Sequence, residues 1–385
     1  MVSSLICLLS FLSVGRHTQA QTSRAIRPDD IFRTTVFRAD SVCYRIPALL
    51  CCPDSSLLVI AERRESWRDK SHTDVVVKRS QDQGKTWGDE MNLTVSANGG
   101  GYAFMDPCPI LDPLTGKIFL FCTRWHRLDP DVTKNRAFML VSEDFGKTWS
   151  KPFDISDSLL APGTYMSGFG PGHGICIPEG PNKGRLVLIT RQSDGTVPAG
   201  RTLYSDDHGE TWSCGNPAVF GESQIAHLGG GRLYLNIRRG ASRSYSFSED
   251  GGITWSDPVL DEALPTLENG WKGCQASVLG TDNGLLFFCG PKGVPSTSTH
   301  DNRSGLTLFR SSSGTLYWNR RQELYPLASG YSDMALLPDG RLAILFEAGP
   351  EEGFIRGSGP RPPGWLRQDL LILPVEISDE GYWFE

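Results

Sequence analysis

Short apolar runs bounded by Gly, Pro, Ser and Asp recur along the chain, among them Asp74-Val-Val-Val-Lys78, Ala137-Phe-Met-Leu-Val141, Arg201-Thr-Leu-Tyr204 and Leu285-Leu-Phe-Phe-Cys289. Runs of this length, rich in β-branched and aromatic residues and closed by turn formers, read as strands. Helical periodicity of useful length is absent. Polar segments of one pattern follow several of these runs: Ser80-Gln-Asp-Gln-Gly-Lys-Thr-Trp87, Ser142-Glu-Asp-Phe-Gly-Lys-Thr-Trp149, Ser205-Asp-Asp-His-Gly-Glu-Thr-Trp212 and Ser248-Glu-Asp-Gly-Gly-Ile-Thr-Trp255. Each reads S-x-D-x-G-x-T-W, and Ser311-Ser-Ser-Gly-Thr-Leu-Tyr-Trp318 is a degenerate fifth that lacks the Asp.

The residue types predict what such a segment does. Short Ser and Asp side chains accept backbone N–H groups and close a tight turn, and Gly supplies a positive φ without steric cost. Thr-Trp then returns into β structure, with the indole plugging a sheet interface. An interval of roughly 40 to 60 residues, holding several strands, matches the blade of a β-propeller better than a sandwich or a helical solenoid. No low-complexity linker divides the chain.

Composition agrees with an all-β chain, with 42 Gly, 25 Pro, 10 Trp and 18 Phe. A net charge of −6 leaves no basic excess of the kind that a nucleic-acid partner favours. Residues 1–20 read as a secretory signal peptide: the apolar run from Met1 to Val14 is too short to span a bilayer, and the small residues Thr18 and Ala20 suit a cleavage site. Residues 21–385 then form a single domain. This predicts a secreted or lysosomal protein, a cytoplasmic one with a loose N-terminal extension being the alternative. No later stretch is apolar and long enough to be a transmembrane helix. Asn92-Leu-Thr and Asn302-Arg-Ser would be glycosylation sequons. Ten cysteines become nine without Cys7, so at least one is expected to remain outside any intrachain pair. Adjacent Cys51 and Cys52 read as strand residues, because no Cys/His cluster has zinc spacing.

The four repeated segments resemble the Asp boxes of sialidases, and Tyr44-Arg-Ile-Pro47, ahead of the first, resembles that family's (F/Y)RIP motif. The resemblance covers nearly the whole chain after about residue 35. It implies a six-bladed β-propeller and an exo-α-sialidase that removes terminal sialic acids from glycoproteins, glycolipids or oligosaccharides. It implies retention of configuration, a tyrosine nucleophile and no metal or organic cofactor. The Asp-box aspartates are expected to be structural.

Sialic acid bears a carboxylate on its anomeric carbon, and Arg is the side chain that pairs with carboxylate bidentately. Similarity to the family assigns this task to Arg45, to Arg238 in Leu235-Asn-Ile-Arg-Arg239 and to Arg303 in Asp301-Asn-Arg-Ser-Gly305. Arg239 competes with Arg238, since one residue of shift along a strand turns a side chain to the other face. Because Arg303 adjoins Asn302, that sequon is expected to be unused. A carboxylate nucleophile would be repelled by the substrate's own carboxylate, and sialidases use Tyr instead. Tyr331 in Ser329-Gly-Tyr-Ser-Asp333 resembles that nucleophile. A phenol with a pKa of ~10 needs a base beside it, and Glu222 in Gly221-Glu-Ser-Gln224 resembles the family's.

The acid that protonates the leaving oxygen is expected on the loop after the RIP strand, where Asp69 matches and Asp74 is its rival. Arg64 is expected to contact substrate or the Asp69 loop, and Glu347 in Leu345-Phe-Glu-Ala348 to orient Arg45. Asp106 in Met105-Asp-Pro-Cys-Pro109 is expected to touch substrate, Gly170-Pro-Gly-His173 to shape the pocket and Gln275 to line its floor. Several of the family's animal members carry tyrosines in the strand corresponding to Arg185-Leu-Val-Leu-Ile-Thr-Arg-Gln192, and this chain has none there. Two other readings stay open. A non-catalytic propeller binding sialylated glycans would keep the turns and lose the reactive residues, whereas a trans-sialidase would share the site and usually add a lectin-like domain for which 385 residues leave no room.

Overall fold

The apolar runs form antiparallel strands that pair mostly with their neighbours in sequence. The computed structural model describes residues 26–375 apart from 70, 96–100, 196–197, 219–220, 268–272, 294–302 and 350–366. Residues 1–20 and Asn302 therefore lie outside the described residues. After β1 (Phe32–Phe37), a first sheet holds β2 (Cys43–Cys51), β3 (Leu57–Arg64), β4 (Thr73–Ser80) and β5 (Met91–Asn92). A second holds β6 (Tyr102–Leu111), β7 (Ile118–His126), β8 (Arg136–Ser142) and β9 (Phe153–Asp154). In a third, β10 (Tyr165–Phe169) and β11 (Ile175–Cys176) both pair with β12 (Leu186–Ser193), followed by β13 (Pro198–Ser205) and β14 (Ser213–Cys214). A fourth holds β15 (Ser223–His227), β16 (Leu233–Arg239), β17 (Ser242–Ser248) and β18 (Val259–Leu260).

The last sheet runs β19 (Ser277–Gly280), β20 (Leu286–Pro291), β21 (Ser304–Ser311), β22 (Trp318–Leu336), β23 (Leu342–Ala348) and β24 (Arg367–Leu373), and β1 joins it beyond β24. The 19 residues of β22 divide their pairing, with β21 up to Ala328 and with β23 from Ser329. Phe32 faces Ile372 and Thr35 faces Asp369, so the start of the described chain closes against its end.

Apolar side chains fill the spaces between successive sheets. Leu50 and Ile60 meet Phe104 and Leu120; Ile110 and Phe121 meet Phe169 and Leu186; Val187 and Ile189 meet Ile225 and Leu235. Tyr234 packs with Phe288, and Phe287 with Ile344 and Phe346. Leu345 and Leu370 of the last sheet then return to Leu49 and Leu57 of the first. Sheets covered on both faces need apolar residues at consecutive positions, as in Leu57–Ala61, where every residue is buried. The result is an all-β, propeller-like arrangement.

The repeated segments are the turns leaving β4, β8, β13 and β17. In the first, Ser80 Oγ donates to Asp82 at 2.8 Å and accepts Gly84 N–H at 2.8 Å, while Asp82 accepts Thr86 N–H at 2.9 Å and its hydroxyl at 2.6 Å. The other three repeat these bonds. The glycine serves two ends: Gly146 has φ +78°, and a Cβ there would stand 2.0 Å from Leu58 Cδ2 of the preceding sheet. Each indole follows the same direction, Trp212 packing edge-on against Phe119 and Phe121 at 5.4 and 4.9 Å between centroids. The degenerate segment also makes a turn, between β21 and β22, but Ser311 Oγ there accepts Leu286 N–H instead.

Among the described residues no disulfide links the cysteines, and no helix is long and apolar enough to cross a membrane. Cys51 closes β2 and Cys52 follows it, as strand-end residues.

Candidate active site

Irregular strand pairing brings the polar residues together. Register slips between Arg45 and Ala48 in β2, Met105 and Cys108 in β6, Met166 and Gly168 in β10, and Ser329 and Ser332 in β22. A bulge breaks the in-out alternation of a strand and re-aims side chains near it. In the first two, Ile46 and Asp106 take φ of 53° and 54°, and a proline follows each. Such backbone costs about 1–3 kcal/mol and persists only when its surroundings hold it. A buried glutamate does so in both: Glu347 accepts Ile46 N–H at 2.9 Å, and Glu62 accepts Asp106 N–H at 2.6 Å.

Arg45 donates through Nε to Glu347 at 2.9 Å, and the other oxygen of Glu347 accepts Tyr331 N–H at 3.2 Å. Two guanidinium groups, those of Arg45 and Arg303, stand over the Tyr331 ring, with centres 5.2 and 5.5 Å from its centroid. Its hydroxyl donates to Glu222 at 2.7 Å and accepts from Arg238 Nη1 at 2.9 Å. Arg238 is also paired with Glu222. The carbonyl of Gly273 receives Arg238 at 3.2 Å and Arg303 at 2.9 Å, so one main-chain oxygen orients two arginines. Arg239, one residue further along β16, is exposed.

Asp69 stands beside this group with its side chain 69% exposed, 2.8 Å from Arg64 and 3.7 Å from Arg45. Its rival Asp74 is buried elsewhere, accepting Asn92 Nδ2 at 2.9 Å and the Thr94 hydroxyl at 3.2 Å. Asp106 pairs with Arg191 at 3.1 Å. Gln275 departs from the expectation of a substrate-facing floor: it is 2% exposed, and its amide bonds both the N–H and the carbonyl of Ser332 at 3.0 Å. The amide is thus turned to the main chain of β22 and away from solvent. His173 bonds Asp333 through Nδ1 at 2.8 Å, and Asp333 also receives Gln224 Nε2 and Leu49 N–H at 2.8 Å each.

The charges have a consistent sense. Burial, helped by Glu222, pushes the Tyr331 phenol above its ordinary range, against the pull of Arg238, Arg303 and Arg45. For Glu222 burial opposes ionisation, but the charges of Arg238 and Arg191 and the hydrogen bonds from Tyr331 and Arg238 together outweigh it and hold the carboxyl below its ordinary value. A carboxylate thus faces a protonated phenol, the pairing required of a base and a latent nucleophile. Burial pushes Asp106 up to about 7: Glu62 and Glu222 add to it, and together they outweigh Arg191 and Arg64.

Sequence reading had not singled out Glu62, Arg191, Gln224 or Asp333. A signal existed for the first two, since a charged residue inside a run that buries both faces requires a buried partner. Glu62 ends the run Leu57–Ala61 and Arg191 ends Leu186–Thr190.

Arg45, Arg238 and Arg303 thus converge on the Tyr331–Glu222 pair, contributed by different sheets of a repeat-built β protein, an arrangement able to receive an anion. The family model described as "BNR repeat-like domain" matches residues 57–344. The chain is 30% identical to Sialidase-3 of Mus musculus over 396 residues, covering 84% of this chain and 92% of that protein. It is 31% identical over 350 residues to a sialidase of Bacteroides fragilis (strain YCH46), covering 80% of this chain and 60% of the length of the bacterial protein. Among solved structures, Hadza microbial sialidase Hz136 superposes with a TM-score of 0.74 at 25% identity, over 89% of this chain and 68% of that one. The chain belongs to the sialidase family.

Proposed function

We propose that the protein is a retaining exo-α-sialidase. The observation that carries this reading is the Tyr331 hydroxyl, bonded to Glu222 and Arg238 while the guanidinium groups of Arg45 and Arg303 stand over its ring. Arg45, Arg238 and Arg303 clamp the sialic acid carboxylate, Asp106 contacts the sugar beside it, and Arg64 holds the Asp69 loop. Tyr331 Oη attacks the anomeric carbon as its proton passes to Glu222. The bond to the aglycone breaks, and the leaving oxygen takes a proton from Asp69. Asp69 then removes a proton from water, whose oxygen displaces Tyr331, and the phenolate recovers its proton from Glu222. Two displacements leave the configuration unchanged.

The same reading takes the last sheet as two blades that share β22, making six with the other four; the divided pairing of that strand supports it. It also takes residues 21–385 as one propeller domain behind a cleaved signal peptide, with sialylated glycoconjugates as substrates in a secretory or lysosomal compartment.

Purified full-length chain is assayed with 4-methylumbelliferyl α-sialoside from pH 4 to 8, and proton NMR identifies the anomer released first. Turnover with the α-anomer released first is expected, together with a loss of at least ~10³-fold in Tyr331→Phe. A folded parent that is silent at every pH sinks the enzyme reading. Initial release of the β-anomer sinks the tyrosine nucleophile.

A further inference from the structure

The two strained bulges are held by the same device in successive sheets. Glu347 on β23 reaches the bulge of β2, and Glu62 on β3 reaches the bulge of β6. In each case the glutamate accepts the N–H of the left-handed residue in the following sheet and holds an arginine as well. For Glu347 that arginine is Arg45. For Glu62 it is Arg64, whose Nε donates to Oε2 at 2.5 Å. Glu62 is fully buried and Arg64 is 1% exposed, so neither is a solvated charge. Arg64 Nη1 then donates outward to Asp69 Oδ1 at 2.8 Å. A buried carboxylate, a buried guanidinium and an exposed carboxyl therefore form one chain from the core to the mouth of the site.

We propose that Glu62 is a positioning residue for the acid step: it fixes Arg64, which fixes where Asp69 stands. The proposal rests on the reading of Asp69 as the general acid. Glu62 itself touches no substrate. Its removal should therefore disturb proton delivery to the leaving oxygen and leave the carboxylate clamp and the Tyr331–Glu222 pair in place.

Proton delivery matters in proportion to how poor the leaving group is, which a merely structural role cannot imitate. In Glu62→Gln, kcat/KM for 3′-sialyllactose is expected to fall about 10–100-fold, and that for 4-methylumbelliferyl α-sialoside less than about threefold. Equal losses on the two substrates, or none, overturn the proposal. Because Glu62→Gln leaves Arg64 without its buried counter-charge and that variant is prone to unfold, Glu62→Gln combined with Arg64→Met is measured alongside. It removes both buried charges and frees Asp69 in the same way, so the substrate ratio should widen equally, and an unchanged ratio in the folded double variant also overturns the proposal. A parent inactive on both substrates sinks the sialidase reading and this inference together. An active parent with an unaltered ratio in the variants sinks the positioning role alone.

Discussion

In the S-x-D-x-G-x-T-W turns, the repeated side-chain bonds join residues two or four apart: Ser80 to Asp82 and Gly84, and Asp82 to Thr86. At the centre the distances along the chain are of another order, with Arg45 and Glu347 302 positions apart, Tyr331 and Glu222 109, and Arg238 and Tyr331 93. A turn of the first kind forms from its own residues, and its backbone is preset by Gly. The second arrangement exists only once the sheets have closed on one another. The turns should accordingly carry stability, and the centre should carry chemistry at some cost in strain and buried charge.

The sharpest test of that division is Asp69→Ala. Loss of a general acid should lower kcat on 3′-sialyllactose by about 10²–10⁴-fold, while a thermal melt should stay near that of the parent because the side chain is mostly in solvent. A large drop in Tm would mean that Asp69 holds the fold and would break the contrast. Next comes Gly146→Ala. Its φ of +78° and the 2.0 Å approach to Leu58 Cδ2 should cost roughly 2–4 kcal/mol in urea melts. Activity per folded molecule should not change, and an altered KM would tie the rim to the site.

A smaller effect, measured through pH, sharpens the comparison from the other side. Asp106 is raised to about 7 from an ordinary value of 3.8, so between those limits the unfolded chain has released a proton that the folded one retains. Its contribution to stability is complete below about pH 4 and is lost as pH rises through 7, by at most roughly 1.4 kcal/mol per pH unit. Asp106→Asn should flatten that decline in melts taken from pH 4 to 7, and an unchanged slope would exclude Asp106 as its source. Smallest is Asp144→Ala, which removes the acceptor for Thr148 N–H and hydroxyl at 2.8 and 2.6 Å. It should cost about 1–2 kcal/mol with kcat intact.

The turns, their indoles and the buried strands were legible in the sequence because each depends on neighbours within a few positions. Leu57–Ala61 needs both faces covered, and its unbroken apolar run says so. The choice between Arg238 and Arg239 was not legible, since it turns on the register of β16, which leaves Arg238 beside Tyr331 and Arg239 exposed. Gln275 was misread for a related reason: its amide completes main-chain bonding to Ser332, 57 positions away. Glu62 and Asp106, 44 apart, and His173 and Asp333, 160 apart, meet across sheet boundaries that no local pattern marks.

By itself the sequence determined the repeat, the all-β class and a family resemblance that named candidates for the reactive side chains. Those follow from bonding and burial within a few residues, and from motifs short enough to be read as strings. Only the tertiary structure decided which arginine meets the tyrosine, which carboxylate is buried and which is exposed, and how two left-handed residues are held. Those outcomes depend on bulges that re-aim side chains and on closure of the last sheet against the first, and both come into being only when distant strands pack.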